Sequence, residues 1–184
     1  GERKLFAADI EESICIANDL RSEINGRRIL DIHDVDVAKD LNNKALAELV
    51  LVNLIADNLT ADYFSSGDNR ERLGSKTNHL SIQIGDLSGP NRLQTLALGA
   101  NDKLKLDPPN GRKQHTPFHW AIAFPEVFER PNPGFDAFVG NPPFLWALRI
   151  SIRISVTYGH FLKRFWSHAQ KNADLCTFFL LRAY

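Results

Sequence analysis

The stretch Gly134-Phe135-Asp136-Ala137-Phe138-Val139-Gly140-Asn141-Pro142-Pro143-Phe144 decides how this chain is read. Phe135, Phe138 and Val139 form a short apolar run between two glycines, too short for a helix, which predicts a buried strand of the parallel-sheet kind. Pro142 and Pro143 then end the strand, because neither has a backbone N–H to donate to a ladder. A residue that precedes proline is pushed towards extended geometry, which keeps Asn141 and Pro142 out of the helical region. Open α/β sheets place ligand-handling residues where a strand stops in a turn at its carboxyl end.

The chemistry of the turn follows from its atoms. The Asn141 side-chain carbonyl and the Pro142 main-chain carbonyl are acceptors on a stiff turn, and Pro143 has no N–H to compete for them. Two acceptors converging on an –NH2 group would hold both hydrogens and leave the nitrogen lone pair aimed outward. Phe144 offers a flat face for a planar heterocycle, and such stacking contributes roughly 1–3 kcal/mol per base. The chain also holds Asp107-Pro108-Pro109-Asn110. That run follows a half-polar stretch and its fourth residue is not aromatic, so it reads as a plain turn.

Asn141-Pro142-Pro143-Phe144 after a hydrophobic strand resembles the catalytic motif of amino-group methyltransferases that use S-adenosylmethionine, above all the adenine-specific DNA methyltransferases. Upstream, Phe118-His119-Trp120-Ala121-Ile122-Ala123-Phe124-Pro125-Glu126-Val127-Phe128 is similar to the segment before the motif in large bacterial restriction–modification methylases. Downstream, Ala173-Asp174-Leu175-Cys176-Thr177-Phe178-Phe179-Leu180-Leu181-Arg182-Ala183 is similar to the helix that packs behind the active site in that group. The resemblance covers Pro117 to Tyr184, and all three segments in this order are more specific than the tetrapeptide alone.

The resemblance implies an α/β fold: the C-terminal part of an incomplete Rossmann-like methyltransferase core, preceded by a largely helical region. It implies a flipped adenine stacked on Phe144, its amino group held by Asn141 and Pro142, with Pro143 stiffening the turn. It implies S-adenosylmethionine as cofactor, double-stranded DNA as partner, a bacterial cytoplasmic setting, and a fused or associated restriction nuclease as a further partner. Relatives hold the cofactor in a glycine-rich turn, yet no Gly-x-Gly occurs in this chain, so the cofactor-binding residues are unassigned. The expectation is an internal piece of a longer enzyme, inactive alone. It contains no methionine and ends on Tyr184 straight after an apolar run. Where relatives have glycines after the motif, this chain has Leu145-Trp146-Ala147-Leu148, which is expected to narrow the space beside Phe144.

Charge supports a nucleic-acid partner. The net charge is +0, yet acids predominate up to Asp62, and none occurs from Leu145 to Ala173. That segment carries Arg149, Arg153, Lys163, Arg164 and Lys171, which makes it the expected phosphate-facing surface. A solvated helix face is the plain alternative. Trp146 either lines the base pocket or packs in the core. Two further readings stay open: a methyltransferase acting on a glutamine side-chain amide in a protein, and a non-enzymatic remnant that binds DNA weakly.

Three regions are expected along the chain. Residues 1–64 read as a helical hairpin or bundle segment. Ile10, Ile14, Ala17 and Ile24 recur at helical spacing before Gly26, and Val37, Leu41, Ala45, Leu49, Val52, Ala56, Leu59 and Tyr63 predict one long helix. Residues 65–116 read as an irregular linker or insertion, with a strand only over His79 to Ile84. Residues 117–184 read as the partial core. No metal site is expected, because Pro117 lies between His115 and His119, and no carboxylates or thiolates cluster near them. Cys15 and Cys176 show no metal spacing and fit a reducing compartment. No apolar run is long enough to cross a membrane, and Asn58-Leu59-Thr60 is dismissed as a glycosylation acceptor because it lies in a predicted helix.

Overall fold

The computed structural model describes residues 2–67, 69–86, 91–105, 116–170 and 172–184. Among these residues the regular structure is all helical and no strand occurs. The α/β, Rossmann-like expectation is thereby overturned for the described chain. The helices are α1 (Glu2–Gly26), α2 (Ile32–Glu48), α3 (Val50–Ser66), α4 (Arg70–Asp86) and α5 (Arg92–Leu104). After them come α6 (Trp120–Ala123), α7 (Pro125–Phe128), α8 (Ala147–Arg153), α9 (Val156–Phe165) and α10 (Leu175–Ala183). The Asp107–Asn110 turn, His115 and Lys171 lie outside the described residues.

Both expected strands fail for identifiable reasons. His79–Ile84 lies inside α4, where Leu80 and Ile84 are buried and Ile82 is exposed. Leu80 and Ile84 are one helical turn apart, so the apparent alternation was one helical row plus an exposed isoleucine. The Phe135–Val139 run is irregular with a bend at Asp136, no strand occurs among the described residues, and Val139 is 100% exposed. A strand of the parallel kind needs a partner strand and cover on both faces; Phe135 instead turns into an aromatic cluster. Residues 65–116, read as irregular, contain α4 and α5. In α5 Leu96, Ala100 and Leu104 are buried at steps of four.

The long helix expected across Val37–Tyr63 is two helices. Leu49 takes a turn conformation between them (φ −86, ψ −2), and the Asn53 side-chain amide donates to its carbonyl at 3.0 Å. The buried row follows the expected stripe through Val52 and then passes to Asn58, Ala61, Asp62 and Ser66. The entry to α2 is a capping box: the Asp31 carboxylate accepts the Asp34 N–H at 3.0 Å, and Asp34 accepts those of Leu30 and Asp31. The Leu30 N–H is the main cause of an Asp34 carboxyl held below the usual carboxylate range.

The chain divides into two compact units, each built from separate stretches. The first comprises Gly1–Asp57, Ser81–Leu96 and Phe118–Phe135. In it α1 and α2 pack through Ala17, Ala45 and Leu49, with Ile14, Leu20 and Ile122 around them. The second comprises Asn58–Leu80, Ala97–Pro117 and Asp136–Tyr184. One of its cores joins Ile150, Leu162, Leu175 and Phe178 from α8, α9 and α10. Another joins Ala61, Ala100 and Leu104 beside Phe64. Asp62, with none of its surface exposed, pairs there with Lys103 at 2.9 Å.

Candidate active site

Asn141, Pro142, Pro143 and Phe144 lie in an irregular segment that runs from the bend at Asp136 to Trp146, within the second unit. Each proline disfavours helical geometry in the residue before it, Asn141 and Pro142, and the next helix begins at Ala147. What fixes the segment is its carboxyl end. Leu145 turns inward against the Ile150–Leu162–Leu175–Phe178 core, and its carbonyl accepts the Leu175 N–H at 2.9 Å. That N–H belongs to the first turn of α10, whose cap is Asp174, accepting from the Thr177 N–H at 3.0 Å. Ser155 caps α9 in the same way, accepting from Tyr158 at 2.9 Å. Through its bond to Leu145, α10 holds the residue that follows Phe144.

The motif itself stands open. Asn141 and Pro143 are exposed, Pro142 is half-buried, and Phe144 is 74% exposed. The four residues expected to narrow the space beside Phe144 divide between core and surface. Leu145 and Ala147 turn inward, whereas Trp146 and Leu148 are 78% and 77% exposed. Trp146 therefore belongs to the surface. It forms the extended cap of α8 (φ −58, ψ 146).

The basic residues separate into two kinds. Arg149, Arg153 and Lys163 are exposed on α8 and α9. Arg164 is half-buried: its Nη2 donates to the Tyr63 carbonyl at 2.9 Å, and its guanidinium lies 4.2 Å from the Tyr63 ring centroid. Near it a small cavity of about 190 Å³ is lined by Phe64, Gly67, His160 and Phe161 among others. Burial pushes the nearby Tyr158 phenol up, which keeps it neutral.

The upstream segment is held within the first unit. Arg21, 8% exposed, donates to the Ala123 carbonyl and pairs with Glu126 at 3.1 Å, and Asn18 donates to Glu129. His119 Nε2 lies 2.8 Å from Asp57 Oδ1. Phe135 receives Trp120, Phe124 and Phe128 edge-on at 5.8, 5.4 and 5.5 Å. Gly134 makes that turn at φ +115, a conformation that favours glycine, and its carbonyl accepts from Arg130. Sequence reasoning missed Arg21. Its signal was there, because position 21 continues the apolar row Ile10–Ile14–Ala17–Ile24, where an arginine requires a partner.

The described residues do not form a cradle for a dinucleotide-like cofactor: no strand leads into a glycine-rich turn among them, and the chain has no Gly-x-Gly. No group of three or more histidine, cysteine or carboxylate side chains among them could hold a metal ion, and Cys15 and Cys176 are free thiols. No helix among them is long and apolar enough to cross a membrane.

Comparison with known proteins gives one finding. The model of a protein family described as Eco57I restriction-modification methylase matches residues 32–184. No curated protein and no solved structure matches the chain.

Proposed function

We propose, from the premise that this chain belongs to the Eco57I restriction-modification methylase family, that it carries the acceptor side of an adenine-specific DNA methyltransferase. The family makes it a DNA methylase; the choice of adenine rests on Asn141-Pro142-Pro143-Phe144. The observation that carries the reading is an open motif on a fixed base. Phe144 faces solvent one residue before Leu145, whose side chain is in the core and whose carbonyl is bonded to α10.

In this reading a target adenine leaves the duplex, at a cost of a few kcal/mol, and stacks on Phe144. The Asn141 side-chain oxygen and the Pro142 carbonyl accept its two amino hydrogens. Fixed acceptors of this kind favour the charge that develops on the nitrogen, because they need no reorganisation during reaction. Pro143 contributes stiffness and removes a competing donor. Trp146, Arg149, Arg153 and Lys163 meet the DNA beside the base, and Arg164 contributes positive potential from its place on Tyr63. S-adenosylmethionine is the methyl donor in this reading. Its binding is assigned to no residue here, since the described residues do not fit it.

The test is product analysis. The methylase that carries this chain is incubated with labelled S-adenosylmethionine and either duplex DNA or a glutamine-containing protein substrate. The reading expects label on DNA, released on digestion as N6-methyladenine. Label on cytosine or on a glutamine amide contradicts it.

A further inference from the structure

We propose that Leu148 and Ile152, with Trp146 at their head, form an apolar wedge that enters duplex DNA where a base has been extruded. Arg149 and Arg153 would grip the flanking phosphates. The inference rests on the DNA reading above and adds a part to it: the motif holds the extruded base, and α8 occupies what the base leaves behind.

The argument starts from the sequence of α8, Ala147-Leu148-Arg149-Ile150-Ser151-Ile152-Arg153. Ile150, 2% exposed, is the face turned to the core. Side chains four apart share a helix face, so the outward side carries two parallel rows. Leu148 and Ile152 form an apolar row, 77% and 63% exposed, and Arg149 and Arg153 form a cationic row that is also exposed. Trp146, 78% exposed, stands at the amino end of this face. Large apolar side chains grouped on an exposed face mark an interaction site.

The cationic row selects the occupant. In a face-to-face contact, a second copy of this chain would set Arg149 and Arg153 against the same pair. The stretch from Leu145 to Ala173 carries no acid of its own to offset that repulsion. Duplex DNA is anionic outside and apolar within its base stack, which is the complement of two such rows side by side. Apolar side chains inserted at unstacked steps are a general way for proteins to hold deformed DNA. An extruded base removes one stacking partner and opens such a step.

The experiment measures binding of the full chain to a labelled duplex and to the same duplex with one abasic position. The wedge predicts tighter binding to the abasic duplex, on the order of tenfold, because the gap is already open. Leu148→Ser combined with Ile152→Ser should abolish that preference, with an unchanged circular-dichroism melt confirming the fold. Leu148→Met should keep it. Arg149→Gln should weaken both duplexes equally and make the salt dependence shallower by about one phosphate contact.

Binding to DNA without abasic preference, or a preference that survives the serine pair, overturns the wedge and leaves the DNA reading intact. Absence of binding to either duplex overturns both. If the serine pair abolishes self-association in sedimentation instead of the abasic preference, the face belongs to a second copy and the wedge is overturned.

Discussion

The start of α2 and the run from Gly134 to Trp146 are about equally rich in signal, yet they fold by opposite logic. At Asp31 the chain satisfies its own backbone: two carboxylates three residues apart cap the helix reciprocally, and Leu41 and Ala45 follow at helical spacing into the core. The Gly134–Trp146 run forms no regular element before α8. Of its aromatic side chains, Phe135 is held in a ring cluster, whereas Phe144 and Trp146 face solvent. The first region is determined by residues within one or two turns; the second is held by what lies behind it.

The largest expected effect tests that dependence. Phe178→Ala should destabilise the second unit by about 3–5 kcal/mol, the range for deleting a buried phenylalanine. Phe178 shares its core with Leu175, whose N–H bonds the Leu145 carbonyl, so the motif should lose its anchor as the core loosens. Denaturant unfolding gives the stability. Protease sensitivity around Phe144 reports whether the motif follows. A motif unmoved by a destabilised core would break the contrast between the two regions.

This contrast also marks what could be read from the residues alone. Helices whose burial repeats at three or four positions were legible, as with Leu41, Ala45 and Leu49. Two helices were hidden by misleading local signals. Leu80, Ile82 and Ile84 alternate, yet only Leu80 and Ile84 are buried, and α5 shows its Leu96–Ala100–Leu104 row among polar neighbours. The Phe135–Val139 run carries the composition of a buried strand, but pairing depends on other strands, and a short run cannot supply them. For the site, the residues alone single out Asn141 to Phe144 as the candidate motif. The inward turn of Leu145 and the outward turn of Trp146 and Leu148 were not legible, because both depend on α10.

At the start of α2, Asp31→Ala should cost about 1 kcal/mol, the usual loss of a capping side chain, measurable by thermal melting. The effect should be confined to the first unit if capping is as local as the geometry implies. Asp34 supplies a pH test of the same cap. Its folded carboxyl lies below its ordinary value because the Leu30 and Asp31 N–H groups hold the charged form. Its contribution is therefore present above the unfolded carboxylate pKa, near 4, and is lost as pH falls through the lower folded value. Wild type should exceed Asp34→Asn in stability at neutral pH, and the gap should close in acid. A gap that widens in acid would reverse the sign.

The smallest expected effect is as informative. Val139→Ser should change stability by less than about 0.5 kcal/mol, because the side chain is fully exposed. A loss of several times that size would contradict the full exposure of Val139.

The role proposed for Asn141-Pro142-Pro143-Phe144 is that of the amine-holding half of a DNA methylase site. Its most direct measurement compares methyl transfer and DNA affinity in Asn141→Ala, made in the methylase that carries this chain. With Asn141 in its proposed role, engaging only the target amino group, transfer should be abolished while DNA affinity stays nearly unchanged. An alanine variant that still transfers methyl groups at the wild-type rate would contradict it.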